Sequence, residues 1–181
     1  MAEYNIEDFR DGKYKMLISK EDIHKKIKEL AQRITVDYKE KCPVLIGVLN
    51  GAFIFMADLV KELEIECEID FIKISSYGNA KVSSGKIDIK KPIDCHLKNR
   101  HVLIVEDIVD SGRSVKFLEA LILAQKPASL KFVSLMRKKG AAIVDFNIDY
   151  LGFEIPNEFV VGYGLDFAQK LRNLPAIYLM N

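Results

Sequence analysis

The chain has 181 residues, with 27 basic against 26 acidic side chains, a formal net charge of +1 and 49% hydrophobic residues. That length suits one domain able to bury most of its apolar surface, and the charge balance removes any electrostatic case for a nucleic-acid partner. The opening Met-Ala-Glu-Tyr-Asn has no basic region leading into an apolar run, and Cys42, Cys67 and Cys95 cannot all pair and lack metal-ligand spacing, so a reducing cytoplasm is expected.

Ser19, followed by Glu21 and Asp22, opens a predicted helix, with a capping hydroxyl and acids in the first turn. Ile23, Ile27, Leu30 and Ile34 mark its apolar face, and His24 lies off that stripe in solvent. Residues 43–49 form a continuous apolar run, as a parallel strand covered on both faces requires. The stretch 44–60 falls short of the ~20 residues of a membrane span. Asn50-Gly51 and Asp58 interrupt it, so a strand, a tight turn and a helix over 52–63 explain it better. Residues 66–74 begin by alternating Cys67, Ile69 and Phe71 with Glu66, Glu68 and Asp70, and read as a strand. A polar loop over 77–86 leads to Ile87-Asp88-Ile89, which makes a long hairpin with a mobile tip.

Next comes Val102-Leu103-Ile104-Val105, a buried strand, with Glu106 and Asp107 directly after it. Asp110-Ser111-Gly112-Arg113-Ser114 forms a turn, and Val115, Phe117, Leu118, Leu121 and Ile122 continue at helical spacing until Pro127. Residues 130–136 and 150–153 are two further strands, and 154–181, carrying Pro156 and Pro175, is expected to be irregular. Alternating strands and helices imply an α/β fold: a mostly parallel sheet with helices on both faces, without repeats or linkers.

The chemistry concentrates at 106–114. Ligands of open α/β sheets bind at the carboxyl ends of the strands, and backbone N–H groups at a helix start favour an anion. Ser111, Gly112 and Ser114 suit a terminal phosphate monoester, and no Walker-type Gly-Lys-Ser/Thr follows. Glu106 and Asp107 suit sugar hydroxyls or a divalent cation. A ligand with a phosphate at one end and a ribose diol beside it satisfies both halves. Taken singly, the acids or the Ser-Gly turn are equally well read as helix-start residues.

This segment resembles the phosphoribosyl-pyrophosphate motif of type I phosphoribosyltransferases. The resemblance extends over nearly the whole chain to the hypoxanthine-guanine phosphoribosyltransferases. It is carried by Val48-Leu49-Asn50-Gly51-Ala52-Phe53, Ser75-Ser76-Tyr77-Gly78, Ser134-Leu135-Met136-Arg137-Lys138-Lys139, Leu151-Gly152-Phe153-Glu154-Ile155-Pro156 and Phe159-Val160-Val161-Gly162-Tyr163-Gly164-Leu165-Asp166. It implies one domain over 1–181 of the type I phosphoribosyltransferase fold, with a flexible loop at about 76–86 and a small hood built from the chain termini, its base-binding segment at about 154–181.

The implied reaction is phosphoribosyl transfer from 5-phospho-α-D-ribose 1-diphosphate to hypoxanthine or guanine with Mg²⁺, in a homodimer or homotetramer. Glu106 and Asp107 handle the ribose hydroxyls directly or through Mg²⁺, and Asp110, Ser111, Gly112, Arg113 and Ser114 surround the 5′-phosphate. Asp110 also exchanges the proton on purine N7; read alone it is an Asx-turn residue. Lys138 reads the oxopurine O6; read alone, Arg137, Lys138 and Lys139 are a solvated basic patch. Phe159 stacks on the base and Val160 meets its edge through the backbone, though residue type alone favours core for both. Asp166 lies near a second metal and, with Val160, near the purine, and Arg172 meets pyrophosphate; alone, an exposed helix-face ion pair is an equally good reading of the two. Leu49, Asn50 and Gly51 form the pyrophosphate loop, with a non-proline cis peptide between the first two, and Asn50 stands where many relatives carry a basic residue. Ser76 and Tyr77 belong to the closing loop, otherwise a hairpin tip. A different class is also open: a phosphoribosyl-pyrophosphate-sensing regulator of the same fold that binds nucleic acid.

Overall fold

The computed structural model describes residues 6–76, 87–141 and 143–180, without the side chains of Arg10 and Ser76. In chain order the elements are α1 (Ile6–Arg10), β1 (Met16–Ile18), α2 (Lys20–Asp37), β2 (Val44–Leu49), α3 (Phe53–Glu62), β3 (Glu68–Ser76), β4 (Ile87–Lys91), β5 (His101–Val109), α4 (Arg113–Leu123), β6 (Ser129–Lys138), β7 (Tyr150–Ile155), β8 (Val160–Val161) and β9 (Ile177–Leu179). The start of α2 follows from its sequence: Ser19 Oγ accepts from the Asp22 amide at 3.1 Å, and Ile23, Ile27, Leu30 and Ile34 are buried.

Six strands form the main sheet in the order β4-β3-β2-β5-β6-β7. β3, β2, β5, β6 and β7 run parallel, and β4 pairs antiparallel to β3 as the outer arm of the expected hairpin. The tip of that hairpin lies outside the described residues. Both faces are covered, and the pleat sorts the side chains between them. Leu45, Leu103, Val105, Val133 and Leu135 pack with the apolar stripes of α2 and α3. Val44, Ile46, Val48, Val102, Ile104 and Phe132 pack with Val115, Leu118 and Ile122 of α4.

A second sheet, β1-β9-β8, is antiparallel and joins the two ends of the chain. It obeys the same alternation. Val161 and Tyr178 face a small core with Phe9, Leu171, Leu174 and Ala176, while Val160, Ile177 and Leu179 join the main core. The expectation that 154–181 is irregular therefore holds only for its turns. β8 has two residues and β9 three, too few for a local signal. They form because β1, far away in sequence, supplies a partner.

One more boundary moves. β5 does not end before the acids but continues to Val109, because β6 stays beside it: Glu106 pairs with Ser134, Ile108 with Met136 and Val109 with Arg137. On the other flank the β2–β5 pairing stops at Gly47–Val105, while β2 goes on beside β3 to Leu49–Lys73. The two central strands thus part company immediately before Glu106. The chain leaves β2 toward β3 on one side and β5 toward β6 on the other, so this gap is the topological switch point of the sheet.

Candidate functional site

The parting of β2 and β5 opens a cleft of about 210 Å³, lined by Val48, Leu49, Ile74, Glu106, Ile108, Val109, Asp110, Ser111, Gly112, Ser114 and Val115. The turn at its rim is set by Gly112, which stands at the N-cap of α4 with φ +79° and no capping side chain. A Cβ there would lie 2.2 Å from the Phe146 ring, so glycine is required by both conformation and packing. The Ile143 amide donates to the Ser111 carbonyl at 3.1 Å and ties the outer side of the turn down. First-turn amides have no acceptor inside their own helix. Gly112 and Ser114 stand at the cleft's rim with the Ser111 and Ser114 hydroxyls, and the Arg113 amide donates to Ser111 Oγ at 3.5 Å, an arrangement of helix-start amides and hydroxyls suited to an anion.

The two adjacent acids diverge, as neighbours on a strand must. Glu106 lines the cleft and is buried; that burial, reinforced by Asp107, holds its carboxyl well above the ordinary glutamate range. Asp107 turns toward the loop after β2. Burial pushes its carboxyl up to about 6, against its own and Ile108's amides and Arg172, with Asp166 adding to the rise. A Cβ on Gly51 would lie 1.7 Å from Asp107 Oδ2, so the carboxylate rests directly on that glycine. The peptide between Leu49 and Asn50 is cis, as the resemblance implied.

Lys138 ends β6 and Asp110 follows β5, and their charged ends meet at 3.2 Å. Lys138 is only 14% exposed at its side chain, so the reading of 137–139 as a solvated patch fails for its middle residue. Arg137 instead pairs with Glu154 across to β7. Phe159 is 51% exposed and meets Phe167 edge-on at 6.1 Å, so it is not core, whereas Val160 is buried in the main core.

Asp166 and Arg172 form an ion pair at 2.7 Å in a turn-rich segment and not on a helix, which corrects the helix-face reading. Arg172 also donates to the Gly164 carbonyl at 2.7 Å, and Gly164 in turn sits on Gly51, whose carbonyl a Cβ would approach to 2.1 Å. One contiguous surface therefore runs from Asp166 and Arg172 through Gly164 and Gly51 to Asp107. Of the loop residues Ser76 and Tyr77, only the Ser76 backbone is described, at the end of β3; the rest of that expectation lies outside the described residues.

A family model described as the phosphoribosyl transferase domain matches residues 14–168. The chain belongs to that family. It is similar to the hypoxanthine-guanine phosphoribosyltransferase of Bacillus subtilis, with 48% identity over 163 residues covering 90% of this chain and 91% of the relative. Among solved structures it resembles a hypoxanthine-guanine phosphoribosyltransferase from Bacillus anthracis, with a TM-score of 0.88 and 44% identity over 92% of this chain and 98% of that one. A hypoxanthine phosphoribosyltransferase from Staphylococcus aureus gives a TM-score of 0.91 at 36% identity over 98% and 97% of the two chains. The fold is that of the type I phosphoribosyltransferases.

Within this phosphoribosyltransferase fold, sequence reasoning missed three kinds of residue. Val48, Ile108 and Val109 line the cleft: Val48 read locally as strand core, and Ile108 and Val109 fell after the predicted end of their strand. Gly164 completes the surface around the Leu49-Asn50-Gly51 loop, and only its position between Tyr163 and Leu165 in a Gly-Tyr-Gly-Leu run hinted at it. Asp58, read only as an interruption of an apolar run, receives a hydrogen bond from Tyr163.

Proposed function

We propose that this phosphoribosyltransferase is a purine-salvage enzyme that moves the 5-phosphoribosyl group from 5-phospho-α-D-ribose 1-diphosphate to hypoxanthine, guanine or both, releasing pyrophosphate. The observation that carries the reading is the Asp110–Lys138 pair at the rim of the phosphate cleft. An acid–base group and a donor-only cation stand together where a base would meet the ribose of a nucleotide seated on 111–114. The named relatives support the same substrate class.

In this reading the 5′-phosphate rests on Ser111, Gly112, Arg113 and Ser114, and Glu106 and Asp107 hold the ribose hydroxyls. Purine N9 attacks the anomeric carbon as the bond to pyrophosphate breaks, and Asp110 accepts the proton leaving N7. Lys138 donates to O6, which an oxopurine offers and adenine, with a 6-amino donor, does not. Phe159 stacks on the base and Val160 meets its edge. Leu49, Asn50, Gly51 and Arg172 receive the pyrophosphate, where the planar fork of arginine matches paired oxygens. Asn50 brings amide hydrogen bonds but no charge to this loop, leaving backbone amides and Arg172 to hold the anion.

Among the described residues no group of three or more His, Cys, Asp or Glu forms a ready cage for a metal. Mg²⁺ commonly binds through one or two carboxylates and the substrate's own oxygens, and Asp107 with Asp166 on one side and Glu106 on the other fit that pattern. When bound, Mg²⁺ would neutralise the diphosphate and assist its departure. None of the described helices is long and apolar enough to cross a membrane. The family resemblance supports a cytoplasmic dimer or tetramer with residues 49–53, among them the exposed Phe53, near a subunit contact. A nucleic-acid-binding sensor finds no support in a net charge of +1 or in relatives named as enzymes.

The test is pyrophosphate release from purified protein with Mg²⁺, phosphoribosyl pyrophosphate and each of hypoxanthine, guanine, xanthine and adenine. Release with hypoxanthine or guanine and none with adenine is expected. Silence with all four from folded protein would overturn the reading.

A further inference from the structure

The chain enters the hood directly from the end of β7, and Gly164 must stay in contact with Gly51 for the surface around the Leu49-Asn50-Gly51 loop to exist. What holds it there is visible one residue earlier. Gly162, Tyr163 and Gly164 have φ of +98°, +49° and +100°, three left-handed residues in succession. This backbone reverses the chain tightly: the Tyr163 amide donates to the Leu174 carbonyl at 2.8 Å and the Gly164 amide to the Arg172 carbonyl at 2.9 Å. Tyrosine is a costly choice for such a position, since a Cβ is disfavoured there. Its side chain does not stay in the hood. It is buried in the main core, and its hydroxyl donates to Asp58 Oδ2 of α3 at 2.6 Å. Asp58 is held in turn by Lys61, one turn on along α3, at 2.6 Å.

We infer that Tyr163 and Asp58 act as a pin that sets the position of the hood over the pyrophosphate loop, and so are positioning residues for phosphoribosyl-pyrophosphate binding. α3 begins at Phe53, directly after the Leu49-Asn50-Gly51 loop, so one short helix carries both the loop and the acceptor of the pin. The pinned residue is adjacent to Gly164, which touches the Gly51 carbonyl and whose own carbonyl receives Arg172. A shift of the turn by a few tenths of an ångström would therefore reach Gly51, Arg172 and the Arg172–Asp166 pair together. Phe159 precedes β8, Val160 is its first residue and pairs with Leu179, Lys138 ends β6 and Asp110 follows β5, so these four purine-side residues stand outside the pinned turn. The pin rests on the proposed reaction, since it assigns its effect to one of that reaction's substrates.

Steady-state kinetics of wild type, Tyr163→Phe, Asp58→Ala, Asp58→Asn and the Tyr163→Phe/Asp58→Ala double variant test it. Expected for Tyr163→Phe and for Asp58→Ala is a rise of several-fold in KM for phosphoribosyl pyrophosphate, with KM for the oxopurine and kcat within about twofold. Asp58→Asn keeps a carbonyl acceptor and should recover most of the loss, and the double variant should be no worse than either single one. Three results would overturn the pin: an unchanged phosphoribosyl-pyrophosphate KM, a parallel rise in both KM values, or losses that add in the double variant. Calorimetric titration with phosphoribosyl pyrophosphate and Mg²⁺ reads the same binding without turnover. If wild type binds this ligand and the variants bind as tightly, the pin fails while the proposed reaction stands. If wild type releases no pyrophosphate with any oxopurine, the proposed reaction fails and takes the pin with it.

Discussion

The cleft at the end of β5 and the hood face each other across the same candidate site but are built on opposite principles. The cleft is made where two long parallel strands separate, and its chemistry sits in one continuous segment, Glu106 to Ser114. Local regularity does the positioning there, because strand pleat sends Glu106 and Asp107 to different sides and a left-handed Gly112 starts α4 at the rim. The hood has strands of two and three residues and is held by turns at Gly162–Gly164 and by left-handed Ala168, Gln169 and Leu171. Its functional geometry depends on contacts with residues more than a hundred positions away, such as Tyr163 with Asp58. Damage to the cleft should therefore strike chemistry, and damage to the hood should strike assembly of the site.

The sharpest contrast is expected from Asp110→Asn. It removes a proton-exchanging carboxylate at the rim without changing its size, and should lower kcat by roughly 10²–10⁴, the usual worth of a general acid–base group, with an unchanged melting temperature. Wild-type turnover in that variant would remove Asp110 from the chemistry. On the hood side, Gly164→Ala puts a methyl 2.1 Å from the Gly51 carbonyl at a φ of +100°. It should cost about 2–3 kcal/mol of stability together with pyrophosphate-site binding, measurable by denaturant titration and calorimetry. A variant as stable as wild type would mean that the hood does not depend on this close approach.

Lys138→Met tests whether the donor on β6 reads the base. Loss of one charged hydrogen bond should cost oxopurine turnover about 1.5–3 kcal/mol in kcat/KM and narrow the gap to adenine. A uniform loss for every purine would assign Lys138 to holding Asp110 instead.

The smallest effect is expected at the foot of the β3–β4 hairpin. Asp70 there accepts from the amides of Phe71, Asp94 and Cys95 and from Lys91 Nζ. Burial alone would raise its carboxyl, but these donors outweigh it and hold the group well below the ordinary aspartate range. The folded chain therefore binds this proton less readily than the unfolded chain does. The stabilisation is complete above the ordinary carboxylate range near 4 and fades as pH falls below it. Asp70→Asn should cost about 1–2 kcal/mol at neutral pH and make stability less steeply dependent on pH between about 4 and 2. A pH–stability curve parallel to wild type would exclude this role.

The main sheet, the three longer helices and the cleft were legible in the sequence, because each rests on a signal within a few residues. Unbroken apolar runs marked β2 and β5, a capped 3.6-residue stripe marked α2, and acids followed by a Ser-Gly turn marked a phosphate site. The resemblance added the partners of that segment, including Lys138 and the loop at Leu49-Asn50-Gly51. Tertiary structure alone decided the rest. It extended β5 through its acids, because β6 continues to offer hydrogen bonds after β2 has left. It turned Lys138 away from solvent and onto Asp110 while Arg137 paired with Glu154. It exposed Phe159, joined the two chain ends in β1-β9-β8, and set Gly164 on Gly51. Periodicity and capping act over one or two turns of chain and leave a local trace. The meeting of Tyr163 with α3, or of one glycine with another's carbonyl, is fixed only when the whole core closes around them.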